Sequence, residues 1–149
     1  MSPPRLAARA ILLHRGAVLL VNAFPDGQSD LWCLPGGGVE TGHSLTETLR
    51  REVQEETGLV VDPGGICHVS EFHNAATGFH QVELFFRARI LSGDPLAPWT
   101  DPAGVVTQRC LATPDDLSRL RFKPDILPDL AFGPPRPEIS PGALEPMAR

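Results

Sequence analysis

Apolar residues in the first third of the chain fall into short runs that are separated by turn residues. The runs AILL and AVLLV lie on either side of His14–Gly16, a spacing that predicts a hairpin or two consecutive strands. The segment SDLWCLP predicts a third short strand, and we expect Pro35 and glycines 36–38 to end it in a tight turn. Further on, HQVELFFRARIL (80–91) alternates apolar and polar residues, which predicts a strand with one buried and one polar face.

The period of the apolar pattern changes from two to 3.6 residues at Ser44. The segment SLTE matches a capping box, with Ser44 as the N-cap and Glu47 as its partner in the first turn. Gly58 supplies a C-terminal stop. Between these signals runs an apolar stripe formed by Leu45, Leu49 and Val53. The pattern predicts a helix over residues 44–57.

The C-terminal quarter of the chain alternates a weak strand pattern with proline-rich sequence. VVTQRCLA predicts a strand, and TPDDLSRL predicts a helix capped by Thr113 with Pro114 as its first residue. Beyond Lys123, proline recurs too often for us to expect regular structure. We therefore expect one domain over residues 1–132, followed by a proline-rich, flexible tail over residues 133–149.

Composition and charge narrow the class of partner. A chain of 149 residues is the size of one domain, and 42% hydrophobic content is enough to build a core. The net charge of −5 and the absence of a basic run argue against nucleic acid as the main partner. A small anionic substrate remains compatible with that charge, because a bound cation reverses it locally. A homodimer stays open at this point.

The chain shows no signal for membranes or secretion. Its apolar runs are too short to span a bilayer, and MSPPRLAARA lacks the apolar segment of a secretory signal. Cys33, Cys67 and Cys110 are odd in number and widely spaced, which favours reduced, largely buried thiols. These features predict a cytoplasmic protein.

Three glutamates lie within five positions of one another in the segment RREVQEETGL: Glu52, Glu55 and Glu56. On a helix, at about 100° per residue, they cover roughly a third of a turn. Like charges so placed cost an isolated helix roughly 0.2–0.5 kcal/mol per pair. The cluster is either a solvated acidic face or a site for a divalent cation. Magnesium is usually held by carboxylates together with substrate phosphates, and the neighbouring LPGGG lets the backbone approach a ligand closely, so the joint pattern favours the cation.

The window Gly37–Leu59, GGVETGHSLTETLRREVQEETGL, resembles the box of the Nudix family, G-x5-E-x7-R-E-U-x-E-E-x-G-U with U an aliphatic residue. Eight of the nine fixed positions match. The departure is His43, where the family has a glutamate that is well placed to pair with Arg51; histidine cannot reproduce that charged bond.

The resemblance implies an α/β fold with a mixed β-sheet sandwiched between helices. It also implies hydrolysis of a nucleoside diphosphate linked to another moiety, with Mg²⁺ as cofactor and Mn²⁺ as a substitute. By that resemblance Glu52, Glu55 and Glu56 ligate the metal, and Glu52 or Glu55 acts as general base. Arg51 then orients a glutamate, and Gly36, Gly37 and Gly38 shape the site.

Outside the box, two acidic residues are weaker candidates for the site. Glu83 is either an extra ligand or base, or the partner of Arg87 or Arg89 in an ion pair. Asp101 is a candidate loop carboxylate.

Residues downstream of the box bear on the substrate. The chain contains no tyrosine, unlike diadenosine polyphosphate enzymes, and it has Ala75 where ADP-ribose enzymes tend to carry proline. The alternative function is a catalytically weak or inactive Nudix-fold module that binds nucleotides and regulates.

Overall fold

Twelve strands and helices follow one another in the computed structural model, which describes residues 2–25 and 27–147. The strands within these ranges are β1 (Arg5–Ile11), β2 (Leu13–His14), β3 (Ala17–Asn22), β4 (Leu31–Trp32), β5 (Gly36–Gly38), β6 (Val60–Asn74), β7 (Phe79–Ser92), β8 (Gln108–Ala112) and β9 (Arg121–Phe122). The helices are α1 (Leu45–Thr57), α2 (Pro114–Leu117) and α3 (Leu127–Phe132).

The strands pair into a mixed four-stranded sheet and two smaller sheets. The large sheet has the order β5-β1-β7-β6, with β1 parallel to β7 and the outer pairs antiparallel. The second sheet, β2-β3-β8, is antiparallel, and β4 pairs with β9 in parallel. The predicted hairpin is confirmed between β2 and β3, where Arg15 and Gly16 take positive φ angles of 50° and 78°.

Helix α1 begins and ends where its capping residues predict. The Ser44 hydroxyl accepts a hydrogen bond from the N–H of Glu47 at 3.1 Å, and Gly58 adopts the left-handed conformation with φ 75°. Leu49 and Val53 of the apolar stripe are fully buried. No helix in the described part of the chain is long and apolar enough to cross a membrane.

Strand β7 separates two hydrophobic cores, so its predicted half-buried character is wrong. Phe86 packs with α1, in a core that includes Leu49 and Val53, whereas Phe85 packs on the opposite side with residues of α2 and α3. Polar residues of the strand can lie on a covered face when they find partners there. Helices on both faces of the sheet confirm the predicted α/β/α arrangement.

The C-terminal region is more regular than its prolines suggest. The predicted cap of α2 is confirmed, because Thr113 and Asp116 form a reciprocal capping box. The expectation of no regular structure beyond Lys123 is wrong, since α3 forms there with Pro128 in its first turn, where no N–H is needed. Further on, Ile139 exchanges two backbone hydrogen bonds with Ile66 of β6, at 2.8 and 3.0 Å. The division into a domain and a flexible tail stays a prediction.

Candidate active site

Three of the four glutamates of α1, Glu52, Glu55 and Glu56, face one cavity of about 410 Å³ beside the glycine segment. Strand β1 borders the same cavity with two arginines, and the loop after β7 adds a further carboxylate. The charged residues that line it are Arg5, Arg9, Glu40, Glu52, Glu55, Glu56 and Asp101. The cavity therefore combines a mostly acidic wall with two cations from a neighbouring strand.

The glycine segment is a strand rather than the expected turn. Gly36–Gly38 pairs antiparallel with β1, opposite residues 7–9. Glycine is required because the contacts are close: a Cβ on Gly36 would lie 2.0 Å from the carbonyl oxygen of Ala8, and Gly36 has φ 148°. A Cβ on Gly37 would lie 2.6 Å from the carboxyl carbon of Glu52. The glycines thus give the backbone room beside β1 and beside a site glutamate.

Glu56 is the most enclosed of the three glutamates that line the cavity. Its side chain belongs to a residue that is only 5% exposed, and its Oε1 accepts a hydrogen bond from the N–H of Gly36 at 2.7 Å. Burial raises the pKa of Glu56 to about 8, and the charges of Glu52 and Asp101 add to the rise. The Gly36 hydrogen bond and the charge of Arg9 oppose it without cancelling it. A cation in the cavity would stabilise the ionised form.

Glu83 pairs with Arg9, so the alternative of an ion pair with Arg87 or Arg89 names the wrong partners. The Nε of Arg9 donates to the Glu83 carboxylate, and its Nη1 donates to the carbonyls of Leu34 and Gly36 at 3.3 and 3.1 Å. Burial lowers the pKa of Arg9, but the combined effect of Glu83, Cys33 and Glu56 is larger, so the pKa is raised. Glu83 lies behind Arg9 and does not line the cavity.

Arg51 bridges the loop before α1 and the first site glutamate. Its Nη1 lies 2.9 Å from Nδ1 of His43, and its Nη2 lies 3.5 Å from Oε1 of Glu52. Arginine has only donors, so the contact requires a neutral His43 with Nδ1 as the acceptor. Histidine thus offers Arg51 an uncharged hydrogen bond where the family pattern has a charged one.

The loop after β7 carries Asp101 to the edge of the cavity. Asp101 is 6% exposed, and its carboxylate accepts from the N–H groups of Ala103 and Val106 at 2.9 and 2.8 Å. Trp99 and Arg109 fix this loop to the end of α1. The indole N–H of Trp99 donates to the carbonyl of Glu55 at 2.8 Å, and Arg109 donates to the carbonyls of residues 57 and 97.

A second cavity of about 390 Å³ lies beneath this loop and shares Glu56 and Asp101 with the first. Trp99 and Arg109 are among its lining residues.

Five of these residues escaped the sequence analysis: Arg5, Arg9, Glu40, Trp99 and Arg109. Arg5, Ala7 and Arg9 alternate with residues of the opposite face of β1, and this spacing is the one local signal that marked the two arginines. Nothing local links Trp99 or Arg109 to α1, because their contacts are formed by residues 44 and 52 positions apart. Of the histidines, His43 is brought to the site by its contact with Arg51.

The carboxylates form a donor set suited to a hard divalent cation. Among residues 2–25 and 27–147, no three His, Cys, Asp or Glu side chains already stand in a metal-binding arrangement. Glu52, Glu55 and Glu56 nevertheless line one cavity with Asp101, and oxygen donors of this kind match the preference of Mg²⁺. The buried Glu56 has only one backbone N–H as its direct hydrogen-bond donor in the described structure, so a cation could bind its carboxylate. The residues therefore fit the metal that the family implies.

The fold and the cavity define an α/β protein whose central sheet places an acidic helix beside a glycine strand. The NUDIX domain family matches residues 3–130, and the chain belongs to this family. A MutT NUDIX hydrolase from Burkholderia pseudomallei has a similar solved structure, with a TM-score of 0.73 and 23% identity over 88% of this chain and 99% of that chain.

Two curated relatives match over shorter stretches. YjhB of Bacillus subtilis is 26% identical over 116 residues, which cover 76% of this chain and 51% of that protein. An ADP-ribose pyrophosphatase of Methanocaldococcus jannaschii is 26% identical over 91 residues, which cover 61% of this chain and 54% of that protein. The chain thus spans about half the length of these relatives.

Proposed function

We propose that this chain is a metal-dependent pyrophosphohydrolase that cleaves the diphosphate bond of a nucleoside diphosphate linked to another moiety. The observation that carries the proposal is the shared cavity of Glu52, Glu55 and Glu56 beside the glycine strand, in a chain of the Nudix family. The alternative, a Nudix-fold binding module without catalysis, rests on the departure at His43. All three glutamates are retained, which favours the enzyme.

In this mechanism Glu52, Glu55 and Glu56 would hold Mg²⁺, with Mn²⁺ as a substitute. When bound, the metal neutralises charge on the diphosphate and makes water a better nucleophile. Glu52 or Glu55 accepts the proton of the attacking water as general base. The water oxygen forms a bond to phosphorus while the bridging P–O bond breaks, and the leaving phosphate departs with the electron pair. Glu56, tied to the N–H of Gly36, is a ligand rather than the base.

Arg51 is the positioning residue for Glu52 in this proposal. Its Nη2 reaches the Glu52 carboxylate, and its Nη1 is held by His43 in place of the family glutamate. Gly36, Gly37 and Gly38 leave room for the carboxylates and for the substrate.

The substrate class is a nucleotide derivative. The relative from Methanocaldococcus jannaschii is named for ADP-ribose, so ADP-ribose and nucleotide sugars are the first compounds to test. The second cavity, which shares Glu56 and Asp101 with the first, offers space for one half of such a molecule. A cytoplasmic location belongs to the same proposal, and the free cysteines agree with a reducing compartment. The proposal leaves a homodimer open. It does not include nucleic acid as a main partner.

A phosphate-release screen tests the proposal. Nucleoside diphosphate derivatives are incubated with the chain and Mg²⁺ or Mn²⁺, before and after chelation, with coupled phosphatase to report each product. Glu55→Gln is expected to lower turnover by about 100-fold or more, since the charge of a metal ligand is lost. Glu47→Gln is the matched control, because Glu47 is exposed on the same helix outside the cavity. Turnover that persists after chelation would contradict the metal dependence of the proposed enzyme. Tight nucleotide binding without turnover would favour the binding module.

A further inference from the structure

The two arginines that line the cavity differ in what they contact. Arg9 is committed to the fold, because its guanidinium donates to Glu83, Leu34 and Gly36. Arg5 lies on the same face of β1, but its guanidinium forms no hydrogen bond or ion pair with any described residue. It is exposed and lines the cavity, so a substrate arriving from solvent can reach it.

The absence of a side chain at Gly38 leaves room for the Arg5 guanidinium. A Cβ on Gly38 would lie 2.2 Å from Nη2 and 2.4 Å from Nε of Arg5. Both distances are far below van der Waals contact, so any side chain at this position would displace the guanidinium. Gly38 has no positive φ angle, and its backbone conformation therefore does not itself require glycine. The space above Gly38 is occupied by the charged end of Arg5.

The surroundings of Arg5 are acidic, yet its charge is left unpaired. Five carboxylates line the cavity with it: Glu40, Glu52, Glu55, Glu56 and Asp101. None of them lies within 4 Å of the Arg5 guanidinium in the described structure. A diphosphate would be repelled by the carboxylates of the cavity unless positive charge is present. A guanidinium supplies such charge and can donate hydrogen bonds to two oxygens of one phosphate at once.

We propose that Arg5 is a phosphate-binding residue of this site, which Gly38 positions to contact the diphosphate of a bound nucleoside diphosphate derivative. The inference rests on the proposed function, because it assigns a further contact to the same substrate. In this arrangement the glutamates would hold the cation, and Arg5 contacts the diphosphate directly. Arg5 supplies binding, whereas the residues of α1 supply the chemistry.

The competing explanation is structural: a long cationic side chain at the start of a strand can cover neighbouring surface with its aliphatic part. The two explanations differ in what Gly38→Ala does. It keeps Arg5 and every charge, but its methyl group pushes the guanidinium from its position. If Arg5 binds phosphate from that position, Gly38→Ala weakens ligand binding through Arg5 and has no further effect once Arg5 is removed.

The test measures binding of α,β-methylene-ADP, whose bridge resists hydrolysis, by calorimetry in saturating Mg²⁺. We expect Arg5→Ala to weaken binding by about 10- to 100-fold, as for loss of a charged hydrogen-bond pair. Arg5→Lys should recover part of the loss, because it keeps the charge without the fork. Gly38→Ala should weaken binding, and the double variant Arg5→Ala/Gly38→Ala should bind no worse than Arg5→Ala.

Arg50→Ala is the control for net charge, because Arg50 is exposed on α1 and does not line the cavity. Thermal unfolding of each variant verifies that it is folded. Equal binding by Arg5→Ala and Arg50→Ala would overturn the inference and leave the proposed function standing. Additive losses in the double variant would overturn the role of Gly38 in positioning Arg5. If the unaltered chain binds no analogue and hydrolyses no nucleoside diphosphate derivative, the proposed function fails and the inference fails with it.

Discussion

Two buried carboxylates lie on different elements near the glycine strand, and they are neutralised in different ways. Glu83 on β7 receives a hydrogen bond from the guanidinium of Arg9, so its charge is balanced within the fold. Glu56 on α1 receives one backbone N–H, from Gly36, and its pKa rises to about 8. Arg9 touches both regions, since it also donates to the carbonyl of Gly36. A buried carboxylate with its own arginine serves the fold, whereas one without such a partner is available to a ligand cation.

The first test, with the largest expected effect, replaces the two carboxylates in separate variants. Glu56→Gln is expected to lower turnover by about 100-fold or more, while the metal-free protein stays folded, because the amide is neutral like the protonated carboxyl that burial favours. Glu83→Gln is expected to lower stability more than turnover, because it leaves the Arg9 guanidinium poorly paired. The measurements are initial rates at saturating Mg²⁺ and urea unfolding of both variants. Near-normal rates in Glu56→Gln would show that Glu56 is not a metal ligand required for turnover.

The second test asks whether Arg9 and Glu83 form a structural pair. Arg9→Met leaves the Glu83 carboxylate buried without its partner, and we expect a loss of about 3–5 kcal/mol in the free energy of unfolding. Adding Glu83→Leu should recover part of the loss, although not all, because Arg9 also donates to the carbonyls of Leu34 and Gly36. Urea unfolding of the single and double variants gives the coupling between the two residues. A loss below about 1 kcal/mol in Arg9→Met would contradict the pairing.

The third test uses pH to check that the pKa of Glu56 is raised in the folded chain. Its pKa is raised from 4.5 to about 8 in the folded chain, so between these values the folded state binds more protons than the unfolded state. The contribution of Glu56 to stability is therefore fully present below about pH 4.5 and is lost as pH rises through about 8. The slope is at most about 1.4 kcal/mol per pH unit.

The measurement is urea unfolding in chelator from pH 5 to 9, with Glu56→Gln as the reference chain. We expect the difference in unfolding free energy between the unaltered chain and the variant to fall as pH rises. Added Mg²⁺ should offset the fall, because a cation stabilises the ionised carboxylate. A difference that does not change with pH would mean that Glu56 is not the group that titrates.

The sequence predicts what neighbouring residues determine and misses what distant residues bring together. Helix α1 was predictable because Ser44, the apolar stripe and Gly58 lie within 15 residues of one another and act locally. Strand β5 was not predictable, because three successive glycines are typical of a turn and their strand conformation depends on pairing with β1. Glu83 was assigned the wrong partner for the same reason, because Arg9 is 74 residues away.

Helix α3 shows a different limit of sequence reasoning. Counting prolines beyond Lys123 argued against a helix, but the position of Pro128 in the first turn matters more than the number of prolines. The burial of Leu127 and Leu130 against the core then stabilises a helix of only six residues. Such docking depends on tertiary packing, which the local pattern does not contain.

The smallest expected effect concerns the exposed contact between His43, in the loop before α1, and Arg51 of α1. His43 accepts a hydrogen bond from Arg51, but both side chains are partly exposed, at 42% and 35%. His43→Glu restores the family residue and gives Arg51 a charged acceptor, which at an exposed position is worth about 0.2–1 kcal/mol. Because Arg51 also reaches Glu52, a firmer Arg51 should raise turnover by no more than a fewfold. Rates and thermal unfolding of His43→Glu are compared with those of His43→Ala, which removes the acceptor altogether. A change of more than tenfold in either variant would show that this exposed contact controls Glu52 as strongly as burial controls Glu56.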